Sequence, residues 1–191
     1  METLTWITLA VIAVVLVAWY LTYSAARLDR LHAKVEGAAA ALDAQLVRRA
    51  ESALELAASG LLDPASSLLL VDAASQSLDE AAGRDSEQML DIRRSAGREG
   101  VESDLTEALG AALTSQALDS VRAQGGPTAS DILGRIHAAG LRVQLARRFH
   151  NQAVSEVQRV RRKRLVRLFR LAGRADLPET VEFDDALPFE G

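Results

Sequence analysis

The chain is predicted to be all-α: a single N-terminal transmembrane helix followed by an antiparallel up-down four-helix bundle. Three observations predict this. Residues 4–23 carry no charge and are dominated by Ile, Val, Leu and Ala. Beyond them, apolar residues recur at steps of three and four, the period of a helix with one buried face. Aromatic residues make up only 4% of the 191 and cysteine is absent. The first is too little for a β-sandwich core, and the second excludes a disulfide framework, a thiol nucleophile and a Cys-ligated metal centre.

Twenty helical residues at ~1.5 Å each reach about 30 Å, the thickness of a bilayer's hydrocarbon core. Leu4 and Trp6 open the run, and Trp19, Tyr20 and Tyr23 close it where amphipathic rings prefer the headgroup level. A cleaved signal peptide needs a basic leader and a shorter apolar stretch. Here Glu2 precedes the run and the bases Arg27, Arg30 and Lys34 follow it. The expectation is a retained anchor over residues 1–24 in the plasma membrane, with the N-terminus outside and the rest cytoplasmic, because basic flanks stay inside.

Residues 25–173 form the expected cytoplasmic helical bundle. Leu28, Leu31, Val35, Ala39, Leu42, Leu46, Ala50, Ala53 and Ala57 make one apolar stripe, ending at Ser59 before Gly60. Asp63-Pro64 reads as an N-cap followed by proline at the first helical position. Leu68, Val71, Leu78 and Ala82 are the expected inner face of that second helix, with Gly83 as its end. Residues 84–100 read as a polar connection with a short helical turn. A third helix is expected from Val101 through Leu105, Leu109 and Leu113 to Gln116 and Ser120. Gln124-Gly125-Gly126-Pro127 is the clearest break, with Thr128 capping a fourth helix. That helix's seam is Ile132, Ile136, Ala139, Val143, Ala146, His150, Ala153, Val157 and Val160. The last stretch, residues 174–191, carries six carboxylates and no base beyond Asp176 and is expected to be largely disordered.

Two charged patterns stand out. Arg159, Arg161, Arg162, Lys163, Arg164, Arg167, Arg170 and Arg174 place eight bases within sixteen residues, in a chain of net charge −4. A helix dipole accounts for two or three of them. The remainder fit anionic lipid headgroups, where each base contributes about 1 kcal/mol. Nucleic acid is the alternative partner, although only Phe169 lies in the run as a stacking ring and the acidic tail follows it. Arg48 and Arg49 on the first helix, and Arg147 and Arg148 on the last, are expected to form ordinary interhelix ion pairs with Glu51, Glu55 or Glu156. A shared docking face is the competing reading of these arginines.

Those arginines belong to two recognisable segments. Residues 42–49 include Asp43, Gln45, Arg48 and Arg49; residues 145–154 include Arg147, Arg148, Phe149, His150 and Asn151. Together with the N-terminal span they resemble the LemA family of bacterial membrane proteins, over roughly residues 1–175. The resemblance implies one N-terminal span and a cytoplasmic helical bundle rather than an activity. This sequence departs from the pattern at His150, where the family usually has Tyr, and at Ala50 and Ser52-Ala53-Leu54. The Phe-Pro that usually ends the last helix is replaced by the basic run.

No nucleotide-binding, nucleophile-elbow or zincin motif is present in the sequence. Neither His137 nor His150 follows a Glu at the spacing of a di-iron bundle site. No catalytic, cofactor-binding or metal-binding residue is therefore expected. The sequence points to a non-enzymatic scaffold or adaptor whose partners are the anionic bilayer surface and other membrane proteins, with homo-oligomers possible in principle. A membrane-tethered basic module binding nucleic acid is the alternative.

Overall fold

A computed structural model describes residues 2–83, 92–162 and 177–187. Among these residues there are four helices and no strands: α1 (Glu2–Ala58), α2 (Pro64–Ala82), α3 (Ile92–Ala112) and α4 (Ser115–Arg161). The chain divides into two compact units, Met1–Gly37 with Gln152–Glu179, and Ala38–Asn151 with Thr180–Gly191.

In the first unit, every described residue up to Tyr20 is exposed, on all sides of α1. The Thr8 and Thr22 hydroxyls donate to the carbonyls of Leu4 and Ala18 at 2.8 and 3.0 Å, so these polar groups are satisfied inside the helix. Trp19 and Tyr23 stack with ring centroids 6.1 Å apart. Burial begins at Leu28 and Val35 and, on α4, takes in Ala153, Val154, Val157 and Val160. Lys34 Nζ donates to Glu156 Oε2 at 2.8 Å. That bond holds the Glu156 carboxyl below its ordinary range, with a smaller opposing effect from desolvation.

The second unit contains the main core. Ala50, Ala53 and Leu56 of α1 meet Leu70, Ala73 and Ala74 of α2, Leu105 and Leu109 of α3, and Ile132 and Ile136 of α4. Gly60, at φ 72°, lets the chain leave α1 through the left-handed region. Asp63 caps α2, its Oδ1 accepting from the backbone N–H groups of Ala65 and Ser66 at 3.0 Å. Hydrogen bonding with Ser66 is the chief reason its carboxyl is held below the ordinary value.

Three expectations are corrected in this unit. The inner face of α2 is Leu70, Ala73, Ala74 and Ser77, while Leu68 and Val71 are 70% and 41% exposed. Four consecutive apolar residues, 68–71, leave the phase of the helix undetermined by hydrophobicity alone. A buried hydrogen bond from Ser77 Oγ to Glu102 Oε1, 2.8 Å, fits only the observed phase. Second, α3 starts by Ile92 and stops at Ala112, rather than running from Val101 to Ser120. Thr114 Oγ1 accepts from Ala117 N at 3.3 Å and so starts α4 at Ser115, twelve residues before Pro127. Third, the helix does break at Gly-Gly-Pro as expected, but as a kink where two helical stretches of α4 meet directly. Its non-helical residue is Gly126 (φ 52°, ψ −131°), a conformation reserved for glycine, so Thr128 lies within α4 rather than capping its start. The α4 seam runs as expected, from Ile132 to Val160, with Ala146 half-buried.

The acidic end of the chain is also corrected. Residues 177–187 form neither helix nor strand, yet Phe183 and Leu187 are buried. Residues 180–187 are an extended strap laid on the second unit rather than a largely disordered tail.

Candidate binding site

The strap crosses the two arginine-bearing segments. Beneath it, Arg49 (3% exposed) donates from Nη1 to Thr106 Oγ1 at 2.9 Å. Its Nη2 donates to the Glu102 carbonyl and to Glu102 Oε2, at 2.9 and 2.8 Å. Glu102 is fully buried, and its second carboxylate oxygen lies 2.8 Å from Arg98 Nε. Arg98 Nη2 in turn lies 3.3 Å from Asp43 Oδ1. Two guanidinium groups and two carboxylates therefore pair off at the floor of the site, with Ser77 and Thr106 meeting further hydrogen-bonding capacity. An unpaired Glu102 at this depth would cost several kcal/mol.

Above this floor, α3 and α4 hold the strap mainly by its backbone. Asn151 clamps Val181 from both sides: its Nδ2 donates to the Val181 carbonyl at 3.0 Å, and its Oδ1 accepts from the Val181 N–H at 2.9 Å. The next N–H, of Glu182, donates to Glu99 Oε1 at 2.8 Å. The Asp184 N–H donates to Ser103 Oγ at 3.1 Å, and the Asp184 carbonyl accepts from Thr106 Oγ1 at 2.6 Å. Gln144 Nε2 donates to the Asp185 carbonyl at 2.8 Å. An extended segment without a neighbouring strand thus finds its hydrogen bonds in side chains.

Side chains set the register. Phe183 joins Leu42, Leu46 and Val143 in a small apolar cluster. The guanidinium carbons of Arg49 and Arg147 stand 5.9 and 5.5 Å from its ring centroid, within cation–π range. Arg147 also grips Asp185 with both ends of its fork, Nε to Oδ2 at 2.8 Å and Nη2 to Oδ1 at 3.0 Å, and reaches Glu182 at 3.2 Å. The bond to Asp185 raises the Arg147 pKa above its ordinary value, against a smaller desolvation effect. Leu187 lies against Gly140, where a Cβ would come within 2.5 Å of Leu187 Cδ2.

The expected partners of the arginines are thereby replaced. Arg49 takes Glu102, Glu55 takes Arg135 (Nε–Oε2 3.1 Å) and Glu156 takes Lys34. Arg49 and Arg147 both contact the Phe183 ring, while Arg48, Arg148 and Phe149 are exposed, Gln45 is half-buried and His150 is buried. Leu4, Trp6, Trp19, Tyr20 and Tyr23 are all exposed on α1. Of the basic run, Arg159 and Arg162 are exposed and Arg161 is half-buried; Lys163, Arg164, Arg167, Arg170 and Arg174 lie outside the described residues. Sequence reasoning missed Glu102, Thr106 and the strap itself. The signal for the strap was Val181, Phe183 and Leu187 at even spacing in an acidic stretch, the period of an extended segment with one face down.

Compared with protein-family models, with curated proteins and with solved structures, the chain finds no match in any of the three.

Proposed function

We propose that this chain is a LemA-like single-pass plasma-membrane protein, N-terminus outside, whose cytoplasmic helical module is a non-enzymatic scaffold or adaptor. One observation carries the reading. Through Tyr20, α1 exposes apolar side chains in every direction, whereas from Leu28 onward it buries a single stripe. Water penalises the first arrangement and lipid does not. The internal bonding of Thr8 and Thr22 and the aromatic pair at Trp19 and Tyr23 are consistent with a span ending near Tyr23.

An antiparallel course of α1 and α4 is supported by their contacts in the second unit. Glu55 meets Arg135, and Leu42 and Leu46 share a cluster with Val143, so residue numbers fall on one helix as they rise on the other. In the first unit, Lys34 pairs with Glu156 about 16 Å along α1 from Tyr23, at ~1.5 Å per residue. Arg159, Arg161 and Arg162 follow Glu156 on α4, in keeping with a basic end that meets anionic headgroups.

The absence of native cysteine makes topology measurable. Single variants Thr3→Cys and Ala40→Cys, treated in intact cells with a membrane-impermeant maleimide, should label at position 3 only. The chain should stay in the membrane pellet after alkaline carbonate. Release by carbonate, or labelling at position 40, overturns the placement. Full-length protein in nanodiscs should bind anionic liposomes in preference to DNA; the reverse preference selects the nucleic-acid alternative.

A further inference from the structure

We infer that the groove occupied by residues 180–187 is a receptor for an extended acidic segment of a partner protein, anchored by a phenylalanine between carboxylates, and that the chain's own tail is its resident competitor. The inference rests on the adaptor reading, because it names the chemistry of what the module adapts to. Binding here requires no membrane, so the two can fail separately.

The strap is held as a ligand is held. Its main-chain groups at Val181, Glu182, Asp184 and Asp185 are met by side chains of α3 and α4, which can read any peptide in the same extended conformation. Specificity comes from three positions. The guanidinium groups of Arg49 and Arg147 both lie within cation–π range of the Phe183 ring and so favour an aromatic side chain there. The planar fork of Arg147 matches the carboxylate two residues later, a geometry lysine cannot reproduce. Leu187 packs directly over the bare backbone of Gly140.

The occupant is also separable from the fold. The main core of the second unit includes no residue of the strap. The ion pairs of the floor, Arg49–Glu102, Arg98–Glu102 and Arg98–Asp43, involve no strap residue. Charge argues for an acidic occupant, since Arg147 on the groove wall takes both its carboxylate partners, Glu182 and Asp185, from the strap. A tethered tail competes at an effective concentration on the order of millimolar, so an incoming segment must bind well or meet a disengaged tail.

The probe is a fluorescein-labelled peptide copying residues 179–188, added to full-length protein in nanodiscs and followed by anisotropy. Binding to the wild-type chain should be weak. The full-length double variant Phe183→Ala, Asp185→Arg, whose tail cannot dock, should bind at least about tenfold more tightly. Adding Arg147→Glu should abolish that gain, and a peptide with alanine for phenylalanine should not bind. A double variant with unchanged helical circular dichroism that binds no better than wild type overturns the inference, as does one that loses its helical signal, because the tail is then part of the fold. Hydrogen exchange on the unmodified chain gives an independent reading. Excess peptide should accelerate exchange of the Val181, Glu182 and Asp184 amides, and unchanged protection overturns the inference. Tighter trapping of a second full-length copy than of the peptide would assign the groove to self-association instead.

Discussion

The first twenty-odd residues of α1 and the stretch from Ala38 to Ala58 belong to one helix and have opposite surfaces. The first is apolar all round and buries nothing. The second buries Leu42, Leu46, Ala50, Ala53 and Leu56 and interrupts that stripe with a buried arginine, Arg49. Backbone geometry is the same in both, so the difference lies in what each side chain needs from its surroundings. A stretch that is apolar in every direction is long and apolar enough to suit an apolar solvent. A stretch with one stripe needs other helices, and its single buried cation needs Glu102.

The largest test of that contrast is at Arg49. Arg49→Met leaves Glu102 without its shortest charge partner on that side and should destabilise the module by about 3–5 kcal/mol in chemical denaturation, with membrane retention unchanged. Combining it with Glu102→Gln should recover much of the loss; no recovery would mean the pair is not the source. A smaller and complementary effect is expected when leucines on and off the inner face of α2 are shortened. Leu70→Ala should cost about 2–5 kcal/mol, since Leu70 is fully buried, and Leu68→Ala less than about 0.5 kcal/mol. Equal costs would return α2 to the phase expected from its hydrophobicity.

The smallest effect sharpens the comparison near the boundary of the apolar stretch. Glu156 has its pKa depressed by Lys34, so the pair's contribution is present above the ordinary carboxylate range and fades as pH falls through the depressed value. Lys34→Met should therefore lower the denaturation midpoint slightly near neutrality and not at all in acid. An equal shift at both extremes would mean that Lys34 acts by packing its stem rather than by charge.

Much of this architecture was legible because it is local or periodic. Lengths of apolar runs, the seams of α1 and α4, the Asp63 cap and the turn at Gly60 follow from rules that act within a few residues. Patterns failed where two local answers were equally good. Residues 68–71 are apolar on every side, and Gly126-Pro127 suits a loop or a kink. In both places a distant group decided, Glu102 for the first and the packing that keeps Val121 and Ala129 in one core for the second.

The sequence by itself determined that the chain is helical, that one stretch is suited to lipid, and that two arginine-bearing segments needed partners. Only the tertiary structure decided who those partners are. Arg49 found its carboxylate on α3, and Arg147 found one on the strap, 38 residues further along the chain. Periodicity records which face of a helix turns inward, but an ion pair is chosen by proximity after folding, when burial makes an unmatched charge too costly to keep.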